Sequence, residues 1–459
     1  MANKTFQELK GFRTLYPKDM KKYNIIEEIF NKNAQLFGYG RVEPPSLEYG
    51  KVLTAKGGLS PEQNKELFIF KDHGNRWIGL RFDLTTPIAR IVANNFDLAK
   101  KMPLRWYYFT KMWRYEQPQK GRYREFWQFG IELIGSDSAE ADAEVVMLNS
   151  KNITQLGFKS NVIKTFISHR DLLRGILKHY GIERDDTIVD IIRILDKKGK
   201  MPDEAIIDEI FNFSGRDKNL RSICKEILKQ KPDTFDSVYE GFLSKVEHYN
   251  DLTMNAVSTI RDIFSSLKMS TTDEEFDSFV VDVSLARGFD YYTGFVFETY
   301  LMRDQNKVGG SLAGGGRYDK LIELFGGRET PAVGFAMGAD RIIEALEDSG
   351  NDKIFKSLRT GSEVHVVFDI KNKYQTQEAH RIRNRLLHNG INSSMTVRAY
   401  SNFRKILEKE LKFADTNNAR YAIIVDDKTN DDNIAVKFLN KKEQRNMSLE
   451  EFLSIRSVP

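Results

Sequence analysis

Two aromatic-rich runs, Trp106 to Tyr115 and Arg124 to Ile134, flank the polar stretch Glu116 to Tyr123, and nothing else in the chain restricts its fold as much. Strand side chains alternate between faces. Phe126, Gln128 and Glu132 are therefore expected on one face, with Trp127, Phe129 and Ile131 on the other. One face would be wet and the other would pack. The pattern predicts an antiparallel strand pair joined by a long mobile loop.

A polar and aromatic face beside a loop carrying Lys120, Arg122 and Arg124 suits a flat base attached to a polyanion. Phe126 could stack on a purine, and Arg114 could grip a phosphate through two parallel hydrogen bonds. An exposed sheet face with solvated charges fits the same periodicity, and periodicity alone does not choose between them.

Elsewhere, Tyr23, Ile26, Ile29, Phe30 and Phe37 recur near helical spacing and predict a helix over 20–37 stopped by Gly38. An extended segment with Pro44 and Pro45 follows. From Leu172 to Met269 the pattern is helical and charged, which reads as an insertion. Strand character returns at Phe279–Leu285 and Gly294–Leu301, before the glycines Gly309, Gly310, Gly314, Gly315 and Gly316. Tight turns and close packing account for such a cluster; a P-loop does not, because no Lys-Ser/Thr pair follows it. After a polar linker over 347–361, strands at Val364–Ile370 and Ala422–Val425 alternate with helices at Gln375–His388 and Asn402–Lys412. That alternation predicts a separate small α/β domain.

A chain of 459 residues is long enough for several domains. With 41% hydrophobic and 29% charged residues it has the composition of a globular protein, and no apolar run is long enough to span a bilayer. A net charge of +5 is compatible with a nucleic-acid partner without requiring one. The single cysteine, Cys224, excludes an intramolecular disulfide and a Cys-cluster metal site, which fits a reducing compartment. Met1 to Leu9 is polar and has no apolar signal segment, so a cytoplasmic location is expected.

The stretch from Trp113 to Glu132 resembles motif 2 of the class II aminoacyl-tRNA synthetases. Ala332 to Ile342 resembles their motif 3, and Gly38 to Glu48, with Pro45, more weakly resembles motif 1. The resemblance implies an α+β fold: an antiparallel sheet flanked by helices, with a helical insertion and a separate C-terminal α/β anticodon-binding domain. The catalytic domain would span 1–346, interrupted by the insertion 172–269, with a linker 347–361 and the anticodon-binding domain at 362–459. It further implies that Arg114 holds the α-phosphate of ATP, Glu116 contacts ATP, Phe126 stacks on adenine and Arg341 covers the other side of the ring. Motif 1 implies a homodimer.

Arg287 to Gly294, R-G-F-D-Y-Y-T-G, and Leu312 to Leu321, L-A-G-G-G-R-Y-D-K-L, resemble the two signatures of the histidine-specific members. An imidazole has two ring nitrogens, so a selective pocket needs a polar partner for each. Glu132 and Tyr292 suit that work and stand where the family places these contacts. Tyr291 and Tyr318 would line the same pocket, although tyrosines of this kind also serve as core aromatics. The substrate ammonium needs acceptors, which the resemblance assigns to Asp83, Thr85 and Gln128. Arg287 would join Arg114 on the α-phosphate, with Mg²⁺ on the outer phosphates and no metal ligand expected from the protein. Gln119 and Arg122 would meet the acceptor end of tRNA(His), although Gln117 replaces the arginine common in bacterial loops. In the tail, Val425 to Asn433 departs from the Gly-Glu pattern usual there.

Together these features predict activation of L-histidine with ATP and its transfer to tRNA. A catalytically silent relative is the alternative, either the regulatory subunit that partners the first enzyme of histidine biosynthesis or a tRNA-sensing module. Such a relative should lack motif arginines, the Arg287 signature or the tail domain, and none is missing here. A synthetase for threonine, proline or glycine would share the tail domain but not the tyrosine-rich signatures.

Overall fold

The computed structural model describes residues 7–55, 65–195, 197–198, 201–213, 218–285, 291–303, 306–356 and 361–456. By its contacts the chain divides into two compact units, Met1–Thr14 with Tyr23–Ile354 and Leu15–Lys22 with Phe355–Pro459.

The larger unit contains β1 (Gly40–Arg41), β2 (Leu47–Tyr49), β3 (Ile69–Lys71), β4 (Trp77–Leu80), β5 (Leu104–Trp113), β6 (Glu125–Ile134), β7 (Ile163–His169), β8 (Phe279–Val281), β9 (Phe295–Arg303), β10 (Asn306–Arg317) and β11 (Ala332–Gly338). Eight of these form one sheet in the order β1-β5-β6-β11-β10-β9-β7-β8. Its inner pairings are antiparallel and its two outermost pairs parallel. A smaller sheet has the order β2-β4-β3.

The predicted hairpin forms in unbroken register from Leu104↔Ile134 to Trp113↔Glu125. Its odd-numbered aromatics pack as expected. Trp127 stacks on Phe109 at 5.2 Å between ring centroids, and Phe129 lies 4.6 Å from Phe30. Such pairs contribute about 0.5–1.5 kcal/mol each beyond the area they bury. Phe30 belongs to the helix Pro17–Leu36, beyond which Gly38 takes φ +80°, a conformation glycine adopts without steric cost. The helix Ala139–Gln155 covers the same side, with Asn152 bonded to Asn33 at 2.8 Å and Asn149 to Thr299 at 2.9 Å.

The other face differs from expectation: it is enclosed, not wet. Gln128 is 8% exposed and Glu132 only 1%. Loops and strands distant in sequence close over it, which hairpin periodicity could not reveal. The connecting loop is also tied down, by a Gln119–Arg122 bridge and by Lys120 pairing with Asp348 at 2.8 Å.

Between β7 and β8 the chain is helical, with helices Arg170–His179, Asp185–Leu195, Asp203–Phe213, Lys218–Lys229 and Asp251–Ser270. The strand expected over Phe279–Leu285 ends at Val281. Asp282 Oδ1 accepts the Ser284 N–H at 3.0 Å and its hydroxyl at 2.6 Å, turning the chain out of the sheet.

The smaller unit contains β12 (Val364–Val367), β13 (Ser393–Met395), β14 (Tyr421–Ile424), β15 (Ile434–Phe438) and β16 (Glu443–Met447) in the order β13-β12-β14-β15-β16. Its two expected strands and two expected helices are present, the helices as Lys373–His388 and Phe403–Thr416. Val364, Val366, Ile382, Leu386, Ile423 and Phe452 are among its buried core. The acidic stretch after β14 is a structured loop. Asp427 accepts hydrogen bonds from Asn372 at 2.7 Å and Gln375 at 2.9 Å, and Asp431 pairs with Arg381.

Candidate active site

A cleft lies over the enclosed face of β6, β11 and β10. Register brings its walls together. Gln128 sits opposite Gly338 and Glu132 opposite Gly334, so Phe126 and Arg341, just past that paired end of β6 and β11, both line the cleft. Arg114 Nε donates to the Phe82 carbonyl at 3.0 Å, and the guanidinium carbon lies 5.2 Å from the Phe126 ring centroid. Arg341 Nη1 donates to the Ser311 carbonyl at 2.8 Å. Glu116 pairs with Arg122 at 3.4 Å and more loosely with Arg114 at 3.8 Å. Arg122 lines the cleft, whereas Gln119 is held in the loop by reciprocal backbone bonds with Arg122 and does not line it. Arg287 lies outside the described residues.

Asp83, Thr85, Gln128, Tyr291, Tyr292 and Tyr318 line the other part of the cleft. Glu132 is buried beside them. Its Oε1 accepts the Thr85 hydroxyl at 2.8 Å and its Oε2 accepts the Tyr318 hydroxyl. Glycines make room for these groups. A Cβ at Gly334 would collide with the Glu132 carboxylate, and one at Gly130 with the Tyr108 ring.

Burial governs the electrostatics. It pushes the Glu132 carboxyl up to about 8, against the hydrogen bonds from Tyr318 and Thr85. It pushes Asp83 up to about 6, with the Arg114 charge acting in the opposite direction. Among the described residues, three buried polar atoms here have no hydrogen-bond partner: Asp83 Oδ2, Gln128 Oε1 and the Tyr108 hydroxyl. Each unmet group costs about 1–3 kcal/mol, so a ligand offering donors to the two acceptors would recover that loss. The arrangement suits a small cationic amine beside an aromatic slot flanked by guanidinium groups.

Residue-by-residue reading of the sequence missed Tyr108, Asp340 and Arg317. Tyr108 stands opposite Gly130 in the hairpin register and therefore shares the cleft face, which alternation along β5 could have revealed. Arg317 is buried and bonds Asp142 at 2.7 Å, the Ser136 carbonyl at 2.8 Å and Asp319 at 3.2 Å, fixing the chain on both sides of Tyr318. Burial pushes the Asp142 carboxyl upward, with the Arg317 charge and hydrogen bond opposing. No local signal marks that pair, because its partners are distant in sequence.

This sheet, the cleft on its inner face and the separate five-stranded unit define a class II aminoacyl-tRNA synthetase. Residues 11–342 match the family model described as histidyl-tRNA synthetase, and residues 364–455 match the anticodon binding domain. The histidine–tRNA ligase of Pyrococcus furiosus is 36% identical over 97% of this chain and 98% of its own length. That of Methanococcus aeolicus is 32% identical over 98% and 100% respectively. The chain belongs to the histidyl-tRNA synthetase family. Among solved structures, the Nostoc histidyl-tRNA synthetase shares the fold with a TM-score of 0.79 at 22% identity, covering 98% of this chain and 99% of that one. A Bacillus halodurans protein titled ATP phosphoribosyltransferase regulatory subunit/histidyl-tRNA synthetase has a TM-score of 0.72 at 23% identity, covering 89% and 97%. Likeness at that identity speaks for the fold alone. The full-length relatives named as ligases disfavour the regulatory reading.

Proposed function

We propose that this protein activates L-histidine with ATP and transfers it to the 3′ end of tRNA(His), using the cleft over β6, β10 and β11. The observation that carries this reading is a pair of buried acceptors, Asp83 Oδ2 and Gln128 Oε1, without a partner among the described residues and next to a slot lined by Phe126, Arg114 and Arg341. The histidine ammonium would take the two acceptors together with Thr85, and its ring would lie against Tyr291, Tyr292 and Tyr318. Glu132 and Tyr292 would read the two ring nitrogens. Adenine would lie between Phe126 and Arg341, and Glu116 would contact the nucleotide.

The histidine carboxylate would then attack the α-phosphate as pyrophosphate leaves. Arg114 and Arg287 would neutralise charge developing there, where fixed donors in a dry site act most strongly. Among the described residues no group of three or more His, Cys, Asp or Glu side chains is placed to hold a metal. Mg²⁺ would sit on the outer phosphates of ATP and supply charge neutralisation there. Gln119 and Arg122 would meet the tRNA acceptor end and the 362–459 domain its anticodon. We also place the working form as a homodimer, from the Pro45 motif. A cytoplasmic setting accords with the single cysteine, and among the described residues no helix is long and apolar enough to cross a membrane.

Amino-acid-dependent exchange of labelled pyrophosphate into ATP tests the assignment. Histidine alone should support exchange; exchange with another amino acid, or none, would overturn it. Arg287→Ala should keep the wild-type melting temperature and lower single-turnover adenylate formation by about a hundredfold. Unchanged activation in that variant would remove Arg287 from the phosphate clamp.

A further inference from the structure

The segment preceding the helix Pro17–Leu36 has no role in the reading above, yet it holds the loop that does. The Gly11 carbonyl accepts the Arg124 N–H at 2.9 Å, and the Lys10 carbonyl accepts Arg124 Nη1 at 3.2 Å. Two residues past Gly11, Arg13 engages three groups at once. Its guanidinium carbon lies 3.5 Å from the Tyr123 ring centroid, its Nη2 donates to the Tyr23 hydroxyl at 2.6 Å, and it forms an ion pair with Asp340. Asp340 is buried. Its Oδ1 accepts the Tyr23 hydroxyl at 2.6 Å and its Oδ2 the Trp127 N–H at 3.0 Å.

Tyr123 and Asp340 both line the cleft. Tyr123 adjoins Arg122 at the end of the loop, and Asp340 adjoins Arg341 at the start of the helix Ala339–Asp348. We propose that Arg13 is a positioning residue for the nucleotide, tying the Tyr123 end of the loop to the start of that helix and so setting the spacing between the two cleft walls. The inference rests on the ATP reading of the cleft. A planar guanidinium serves both contacts, stacking on the ring through its face while its edge pairs with a carboxylate. An ammonium has the charge but no face.

Steady-state pyrophosphate exchange on the full chain, with ATP and histidine varied separately, tests this. Arg13→Ala should raise KM for ATP roughly tenfold, the size expected for a partly desolvated cation–π contact, and leave KM for histidine unchanged. Arg13→Lys should restore only part of the loss. In a double-mutant cycle Arg13→Ala and Tyr123→Ala should be non-additive, the double variant matching the worse single one. Tyr123→Ala alone should shift KM for ATP in the same direction, which keeps the test available should Arg13→Ala not fold. An unaltered KM for ATP, an equal change in both KM values, or strict additivity would overturn the proposal. Absence of histidine-dependent exchange in the wild type would instead overturn the reading on which it rests.

Discussion

Replacing Arg114 by alanine is expected to lower histidine-dependent adenylate formation by about a hundredfold to a thousandfold, the cost of removing one preorganised donor from a charge-developing site. The side chain is held by the Phe82 carbonyl at 3.0 Å and beside the Phe126 ring, so its donors need no reorganisation when charge appears. Arg114→Lys should recover little, because an ammonium cannot reproduce the two-donor fork or its plane. The effect should fall on the single-turnover rate, with little change in KM for histidine, since interactions made only in the transition state act on kcat. A rate within threefold of wild type, in a variant with unaltered melting temperature, would remove Arg114 from the chemistry.

Glu132→Gln should weaken histidine recognition by roughly tenfold to a hundredfold, the range for losing a hydrogen bond to a charged group. It should also change how stability depends on pH. Burial raises the Glu132 carboxyl from the usual 4.5 to about 8, so the folded protein binds this proton more tightly than the unfolded chain. Its contribution to stability is therefore complete below about pH 4.5 and is lost as pH rises towards 8. Asp83, at about 6, acts with the same sign over a lower range. The Glu132 shift corresponds to on the order of 4–5 kcal/mol at full titration, an upper figure for so buried a group. The free wild-type protein should thus melt at lower temperature at pH 8 than at pH 5.5. The melting temperature of Glu132→Gln relative to wild type should rise steadily across that interval. Parallel curves for the two proteins would mean that Glu132 is ionised in the free cleft. Histidine should narrow the difference, because it brings donors to a cleft that lacks them.

The legible parts of the fold were those with a strong local period. Alternation over Trp106–Ile134 foretold the β5–β6 hairpin and the packing of Trp127 and Phe129, because a strand has only two faces to offer. Helical spacing over 20–37 foretold the helix Pro17–Leu36 and the helical stretch from Leu172. Short or polar strands escaped notice. Glu443–Met447 is E-Q-R-N-M, mostly exposed at a sheet edge, and Ser393–Met395 is too short to show a period. The end of β8 escaped as well, since an Asx turn at Asp282 overrides the apolar run of Val283 and Leu285.

What the sequence determined by itself was the chemistry on offer and its order along the chain: the arginine, aromatic and carboxylate of the hairpin, the tyrosine signatures and the family they indicate. Tertiary structure alone decided that the hairpin's polar face would be dry. That enclosure raises Glu132 and Asp83, leaves Asp83 Oδ2 and Gln128 Oε1 without partners among the described residues, and recruits Arg13 and Arg317 through residues more than a hundred positions away in the chain. The physical reason is that periodicity fixes which way a side chain points, whereas desolvation depends on what distant segments fold over it.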